Sequence, residues 1–458
     1  MSQFQAARWR DQPLWDRTWQ TMSRPQLDAV HLRRIKQLIE FAYERVPFYR
    51  EKYAAAGIKP ADVRTWDDFY EHVPTVDKVD LIADQERNGP NGFGLEATPR
   101  EARAWYHQTS GTTGGPFREV FTHYDRSTAA YDASTYGWWD AGLRPGSSMY
   151  FAFNFGTFMG FWSKVFAAER MGLMVIPGGG LDTVGRLEQI AELAPDAVAG
   201  TPTYLMRMGE VAQQHGIDLG AAGVRVLSTA GELGPSVRSF RAQLRELWGG
   251  ARIVDIYGQS ENSFGAIECR MADDAEVNGF HVIERYMHSY AGDTEQYRPV
   301  APGEVGEHIV TTFRLGQPLI KYRTHDLVRH VGTVDHGCGW NFGFLEGGVL
   351  GRTDDMVTIK GTNVYTSSIQ RLVGDTPGLE PHYELHITRD RGLDQLTVRV
   401  EAQADRTADD YPALRDQLVA KIRHAVGITV TADILAPETL QRYELKTKRV
   451  FDHRRETS

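Results

Sequence analysis

The apolar positions of this chain change their period as it runs. In Leu32-Arg-Arg-Ile-Lys-Gln-Leu-Ile-Glu-Phe-Ala-Tyr-Glu-Arg-Val46, the residues Leu32, Ile35, Leu38, Ile39 and Ala42 recur at the spacing of one helix face. The pattern predicts helices across 26–57, stopped at Val46-Pro47, with Phe48 and Tyr49 in the core. Farther on, short apolar runs alternate with helical stretches. Tyr150-Phe-Ala-Phe153, Leu173-Met-Val-Ile-Pro177, Ala197-Val-Ala-Gly200 and Val224-Arg-Val-Leu-Ser-Thr-Ala-Gly231 read as strands. Helical patterns fill the stretches around 184–193, 203–215 and 235–248. This βαβα rhythm predicts a layered α/β domain whose ligands sit beyond the carboxyl ends of its strands. Ala230-Gly231-Glu232 and Tyr257-Gly258-Gln259-Ser260-Glu261 each follow a strand-like run, so both are expected at one crevice. Pro318 to Asp326 is expected to begin as a strand and end on the Asp.

After a Gly-rich run (Gly343, Gly347, Gly348) the pattern breaks at Gly351-Arg352-Thr-Asp354-Asp355. Strands are predicted at 357–360, 382–388 and 395–402, and a helix at 411–425. The expected fold class is therefore α/β, with a large layered domain over 1–351 and a small α+β domain over 352–458.

Composition narrows the classes of function. A chain of 458 residues, 41% hydrophobic and 24% charged, has room for more than one domain and a large core. A net charge of −9 does not favour a general nucleic-acid partner. No apolar run approaches membrane-spanning length, and the opening MSQFQAARWRDQ lacks an apolar signal core, so a cytoplasmic protein is expected. Two cysteines argue against a disulfide scaffold.

The stretch Thr109-Ser110-Gly111-Thr112-Thr113-Gly114-Gly115-Pro116 packs hydroxyls and three glycines together, between Trp105–His107 and the strand-like Glu119–His123. Glycines let backbone N–H groups approach an anion, and hydroxyls add neutral donors that follow phosphate oxygens. The loop is not a Walker A loop, because no Gly-Lys-Ser/Thr closes it. On composition alone it reads equally well as a polar turn.

Three later stretches join it: Asp255-Ile-Tyr-Gly-Gln-Ser-Glu261, Tyr322-Arg-Thr-His-Asp326, and Gly351-Arg-Thr-Asp-Asp355 leading to Lys360-Gly-Thr-Asn363. In this order the four resemble the adenylate-forming (acyl/aryl-CoA ligase) superfamily, nearest to its phenylacetate–CoA ligase branch, from about Met22 to Arg454. "YERVPFYREKYAAAGI" is similar to that branch's opening.

The resemblance implies activation of a carboxylic acid by ATP as acyl-AMP, then transfer to CoA, with a C-terminal lid that moves between the two steps. It implies that Thr109, Ser110, Gly111, Thr112, Thr113 and Gly114 hold phosphates, and that Gly231, Glu232, Tyr257, Gly258 and Ser260 line the nucleotide site. Glu261 matches a Mg²⁺ carboxylate, Asp326 a ribose ligand, and Arg352 a nucleotide-contacting arginine. Tyr150, Phe155, Phe158, Gly160 and Ala230 fall in the acyl-pocket segment, where an aromatic-rich core is the alternative reading. Asp354 matches the hinge and Gly361 the glycine of the pantetheine tunnel. Lys446, in Arg442-Tyr-Glu-Leu-Lys-Thr-Lys-Arg449, matches the catalytic lysine; without that motif the segment reads as a solvated basic tail.

Departures from the family pattern are Gly115 for a frequent lysine, His325 for a small or basic residue, Leu445 for glycine, and Thr366 and Gln370 for proline and glutamate. An amine or carrier-protein acceptor stays open as an alternative to CoA, as does a homodimer. The third reading, an idle nucleotide-binding regulator, is opposed by Glu261, Asp326, Arg352 and Lys446 together. Phe151, Phe153, Phe155 and Phe158, with the branch resemblance, favour an aryl or arylacetic acid.

Some members of the branch carry cysteines and a histidine where Cys269, His281, His336 and Cys338 stand, and bind zinc. A Cys₂His₂ set is closed and suits structural Zn²⁺. Two buried cysteines and two surface histidines are the plain alternative.

Overall fold

The computed structural model describes residues 12–88, 98–109, 116–128, 133–232, 234–261, 263–273, 277–354, 356–359, 362–390, 393–442 and 449–454. The helices predicted across 26–57 are α1 (Arg24–Arg45) and α2 (Pro47–Ala55). Pro47 ends one and starts the next, because its missing N–H is unneeded at a first helical position. Phe48 and Tyr49 are buried. The Tyr49 hydroxyl donates to Pro318 O and accepts from Ile320 N, tying α2 to the loop that leads into the strand beginning at Tyr322.

Two strands frame the Gly-rich loop, β1 (Arg103–Gln108) and β2 (Arg118–Thr122). The central sheet takes β3 (Ser148–Phe151), β4 (Met174–Pro177), β5 (Ala197–Gly200), β6 (Val226–Ala230) and β7 (Arg252–Gln259). It continues with β8 (Ser263–Ile267), β9 (Gly279–Val282), β10 (Met287–Gly292), β11 (Val305–Thr312), β12 (Tyr322–Thr333) and β13 (Gly343–Arg352). Among the described residues these form an 11-stranded sheet in the order β10-β11-β12-β13-β9-β8-β7-β6-β5-β3-β4. The β4-β3-β5-β6-β7 side is parallel, as the alternation of strands and helices predicts. From β7 onward the pairing turns antiparallel.

Helices α3 (Lys78–Asn88), α4 (Met159–Met171), α5 (Thr183–Leu193), α6 (Pro202–Gln214) and α7 (Arg238–Leu247) pack around these strands. One apolar cluster joins Tyr150, Leu187, Leu205, Phe240 and Trp248; another joins Phe151, Phe153, Trp138 and Val254.

Two expectations need correcting. β12 does not end on Asp326: it begins at Tyr322 and carries Asp326 within it. Nor does the break begin at Gly351, since Gly351 and Arg352 are the last two residues of β13. Both strands sit in the antiparallel half, where register rather than strand ends places side chains.

The C-terminal part is a small separate α+β domain. A hairpin, β14 (Met356–Ile359) with β15 (Thr362–Tyr365), leads to α8 (Thr366–Gly374). A four-stranded sheet then combines β16 (Leu379–Asp390), β17 (Leu393–Ala402), β18 (Thr431–Leu435) and β19 (Val450–Asp452), with α9 (Tyr411–Val426) beside it. It touches the large domain through polar contacts: Ser239 Oγ donates to Gly374 O, Gln243 Nε2 to Glu380, and His382 Nε2 faces Glu210 at 3.3 Å. No helix among the described residues is long and apolar enough to cross a membrane.

Candidate nucleotide, acyl and metal sites

The central feature is a carboxylate inside the sheet. Asp326 is almost fully buried, and each of its oxygens is engaged. Oδ1 accepts from Arg352 Nη1 at 2.7 Å; Oδ2 accepts from the Tyr257 hydroxyl and from Gln259 Nε2, both at 2.7 Å. Burial pushes the Asp326 carboxyl above its usual range, against the pull of the Arg352 charge. The Tyr257 hydroxyl also meets His308 Nδ1 at 3.0 Å, and burial pushes that imidazole down to about 3, so it stays neutral.

Arg352 faces the other way as well. Its Nε and Nη2 donate to Asp354 Oδ1 and Oδ2 at 2.8 and 2.7 Å. Burial opposes the Asp354 charge, but the Arg352 hydrogen bonds hold its carboxyl below the usual range. His325 adds a tether. Its backbone is left-handed (φ +63°), its carbonyl accepts from Thr353 N at 2.7 Å, and its Nδ1 lies 3.1 Å from Thr353 Oγ1. A non-glycine residue there is strained. Glu307 receives the His325 N–H and two Arg323 donors.

At the neck of the Gly-rich loop, Thr109 N donates to Phe117 O and Phe117 N donates to Thr109 Oγ1. Ser110, Gly111, Thr112, Thr113 and Gly114 lie outside the described residues, as do Gly361 and Lys446. Glu261 follows β7 in a turn, nearly buried, 2.8 Å from Lys78 Nζ. Nearby, Glu119 of β2 pairs with Arg314, both almost wholly buried. Burial pushes the Glu119 carboxyl up to about 7 despite Arg314. Gly258 pairs with Phe264 next to a bulge, and Ser260 continues the turn to Glu261. Gly231 takes φ +92°, which a side chain would resist, and Glu232 accepts from Thr203 N and Oγ1 at the start of α6.

The acyl-pocket set divides. Phe155 and Ala230 are both partly buried against the cluster containing Phe153. Phe158 precedes α4, and a Cβ on Gly160 would lie 2.5 Å from the Phe158 ring, so glycine is what admits that ring. Phe153 stacks on Phe161 at 4.0 Å, and Phe155 leans on Trp162 at 5.0 Å. Tyr150 belongs elsewhere. Strand alternation turns it to the opposite face of β3, where its hydroxyl donates to Gln189 of α5. The apolar run around it carried no sign of which face it would take.

Cys269, His281, His336 and Cys338 do converge. Their potential ligand atoms all lie within 4.8 Å of one another. Cys269 Sγ is 3.3 Å from His336 Nε2, Cys338 Sγ 3.5 Å from His281 Nε2, and the two Nε2 atoms are 3.1 Å apart. Tetrahedral Zn²⁺ with Zn–S ~2.3 Å and Zn–N ~2.0–2.1 Å requires S···N edges of ~3.5 Å and N···N edges of ~3.4 Å. The donor set therefore fits that ion. His281 Nδ1 lies 3.4 Å from Phe342 O, an outer contact of the kind that fixes a ligand ring. Neither histidine is the freely exposed one of the plain alternative: His281 is fully buried and His336 partly so.

Lys78, Glu119, Arg314 and His308 gave no signal in sequence. Each is an isolated polar residue in its own stretch, and only the tertiary fold gathers them.

These features set the chain within a known group. The model for "AMP-binding enzyme" matches residues 49–312 and that for "AMP-binding enzyme C-terminal domain" matches 361–454. The chain belongs to the AMP-binding enzyme family. It is 30% identical to phenylacetate-coenzyme A ligase of Aromatoleum evansii over 440 residues, 94% of this chain and 96% of that one. It is 32% identical to phenylacetate-coenzyme A ligase of Escherichia coli (strain K12), over 95% of this chain and 97% of that one. Among solved structures, 2-hydroxyisobutyryl-CoA ligase in the postadenylation state with 2-HIB-AMP superposes at TM-score 0.89, 27% identity, over 97% of this chain and 94% of that one. The same ligase with 2-HIB-AMP and CoA in the thioesterification state scores 0.72 at 28% identity, over 97% and 93%.

Proposed function

We propose that this protein is an ATP-dependent acid–CoA ligase acting on an aryl or arylacetic acid. The observation that carries the reading is the buried Asp326 carboxylate, fixed by Tyr257, Gln259 and Arg352 beside the Glu261 turn. In the first half-reaction a substrate carboxylate oxygen attacks the α-phosphorus of ATP. The bond to the bridging oxygen breaks, pyrophosphate leaves, and acyl-AMP remains. In the second, the CoA sulfur attacks the acyl carbon, gives up its proton, and AMP leaves.

Both steps depend on alignment and on charge held ready in a dry site. Asp326 Oδ1 keeps one acceptor site for a ribose hydroxyl, and Arg352 reads the nucleotide from across the strand pair. Thr109 and the loop residues 110–114 receive the phosphates. Tyr257, Gly258, Ser260, Gly231 and Glu232 complete the nucleotide wall. Glu261 is a single nearly buried carboxylate, which suits Mg²⁺ held by one protein oxygen together with substrate phosphates. When bound, that ion would neutralise phosphate charge. Lys446 is assigned to the α-phosphate during adenylation, Gly361 to the pantetheine path and Asp354 to the hinge. Phe155, Phe158, Gly160 and Ala230 form the acyl wall, and aromatic rings along Phe153, Phe161 and Trp162 favour an aryl group. The zinc proposed at Cys269, His281, His336 and Cys338 has all four positions filled by protein, so its task is structural.

The test is pyrophosphate release with a panel of aryl and alkyl acids, with and without CoA. Release stimulated by an aryl acid, with AMP and a CoA thioester accumulating when CoA is added, is the expected result. Stimulation by alkyl acids alone would overturn the aryl assignment, and release without thioester would overturn CoA as acceptor.

A further inference from the structure

The turn Pro177-Gly-Gly-Gly-Leu-Asp-Thr183 after β4 has no part in the reading above, and neither does the arginine that follows it. Arg186 lies in the first turn of α5 and is only 2% exposed. Its acceptors are all neutral. Nε donates to Gly178 O at 2.9 Å, Nη2 to Asn154 Oδ1 at 3.0 Å, and Nη1 to the Tyr204 hydroxyl of α6. Among the described residues no carboxylate pairs with it. A cation in a dry interior with no opposite charge beside it is costly. An apolar side chain of similar length would fill the same space without that cost, so the guanidinium is explained by where its donors point.

They point at the joint between two strand ends. Asn154 follows β3, Gly178 follows β4, and the two strands pair in parallel. Asn154 Oδ1 accepts a second bond from Gly180 N at 3.1 Å, and Gly178 N donates to Phe151 O at 3.0 Å. Tyr150, which faces away from the acyl wall, braces the same joint. Its hydroxyl donates at 2.9 Å to Gln189, one helical turn beyond Arg186. A Cβ on Gly178 would lie 2.5 Å from the Tyr150 ring, so the chain passes there only as glycine. Gly179 then rests on the acyl wall itself: a Cβ there would lie 3.3 Å from the Phe155 ring and 3.4 Å from Phe153 O. Phe155 is thus bounded by Trp162 at 5.0 Å, Phe153 at 5.8 Å and the glycine turn, and its chain neighbour Asn154 is held by Arg186.

We propose that Arg186 is a positioning residue for acid selection: it pins Asn154 to the glycine turn and so sets where the Phe155 ring stands in the acyl wall. This rests on the acid–CoA ligase reading for the reaction whose substrate is selected. The guanidinium suits the task because its donors form a planar, pre-organised fork that fixes several acceptors at once. Without it, Asn154 keeps only Gly180 N, the turn is free to recede from Phe155, and the wall yields to acids of other lengths. The effect is directed at the acid, because Arg186 makes no contact with β7, β12 or β13, the strands that carry Tyr257, Asp326 and Arg352.

The test is pyrophosphate release by the full-length protein with benzoic, phenylacetic and 3-phenylpropionic acids, which differ by one methylene at each step. One methylene in an apolar pocket separates substrates by ~10-fold or more in kcat/KM, and Arg186→Met should compress that ratio to about threefold or less. The change should fall on KM for the acid, with KM for ATP held within about twofold. Arg186→Lys, which keeps a cation with fewer donors, should restore part of the ratio. Asn154→Ala should shift the ratio in the same sense, and adding it to Arg186→Met should change little further, because both act through one bond. If Arg186→Met does not fold, Gly179→Ala reads the same joint from its other side: the added methyl meets Phe155 and should alter the ratio at an unchanged unfolding temperature. Variants that unfold at lower temperature yet keep the acid ratios of the unsubstituted protein would overturn the proposal. So would an equal rise in KM for acid and ATP, the mark of a general packing role. If the unsubstituted protein releases pyrophosphate with none of the acids, the ligase reading falls and this proposal with it; failure in the variants alone overturns only this proposal.

Discussion

Asp326 and Arg352 stand opposite one another across the β12–β13 pair and are joined at 2.7 Å. The same guanidinium grips Asp354 with its other donors. One arginine thus links the proposed ribose ligand to the proposed hinge residue. Arg352→Ala leaves the buried Asp326 with neutral donors only. Breaking a buried pair costs about 3–5 kcal/mol, and the partial exposure of Arg352 reduces the expected loss to about 1–3 kcal/mol. ATP affinity should fall by roughly tenfold or more with it. A double-mutant cycle with Asp326→Asn measures the coupling; additive effects would show that the pair contributes nothing of its own.

The hinge should respond in opposite directions to two substitutions. Asp354→Pro restricts φ and removes a donor, so adenylation should persist while thioester formation drops. His325→Gly removes the left-handed strain at φ +63° and the ring's contact to Thr353. It should leave adenylation unchanged and speed thioester formation from supplied acyl-AMP. Single-turnover rates of the two half-reactions decide it; equal losses in both would point to a general folding defect.

Metal analysis of purified protein should find about one zinc per chain, as a closed Cys₂His₂ set requires. Cys338→Ser and His281→Ala should each lower both zinc content and the unfolding temperature. Because the segment just after β8, strand β9 and the β12–β13 turn all contribute ligands, loss of the ion would loosen the sheet beneath Glu261 and Asp326. Full metal content in Cys338→Ser would show that this cysteine is not a ligand.

Gly160→Ala places a methyl where the Phe158 ring now lies, 2.5 Å from it. The ring must shift toward the acyl wall. KM for the acid should rise several-fold and the preference among aryl acids should change, while KM for ATP stays constant. An effect on ATP of the same size would place Gly160 in the general packing of α4 instead.

Lys164 is buried, and desolvation pushes its ammonium down to about 7, with Asp255 opposing the shift. A lysine lowered in the folded state binds fewer protons there than in the unfolded chain. Stability should therefore rise with pH from about 7 toward the ordinary lysine range near 10.4. Lys164→Met removes that dependence. Its gain in unfolding temperature should be largest near pH 6 and shrink by pH 9; a constant difference across that range would mean that Lys164 keeps an ordinary pKa.

The local pattern was enough for much of this protein. Period alone separated the helices from the parallel strands β3, β5 and β6, because each buries one face or both against neighbours close in sequence. The ordered motifs around Thr109, Glu261, Asp326 and Arg352 carried the family, and Cys269, His281, His336 and Cys338 carried the metal proposal. What the sequence could not say was which groups meet across long separations. It read Asp326 as the end of a strand, when antiparallel register puts it inside β12 facing Arg352. It placed Tyr150 in the acyl wall, although the pleat turns it toward Gln189. It had no means of bringing Lys78 to Glu261 or His308 to Tyr257, since a lone polar residue has no period. Those pairings follow from sheet order and from helices pinned between distant strands, and they exist only once the chain is folded.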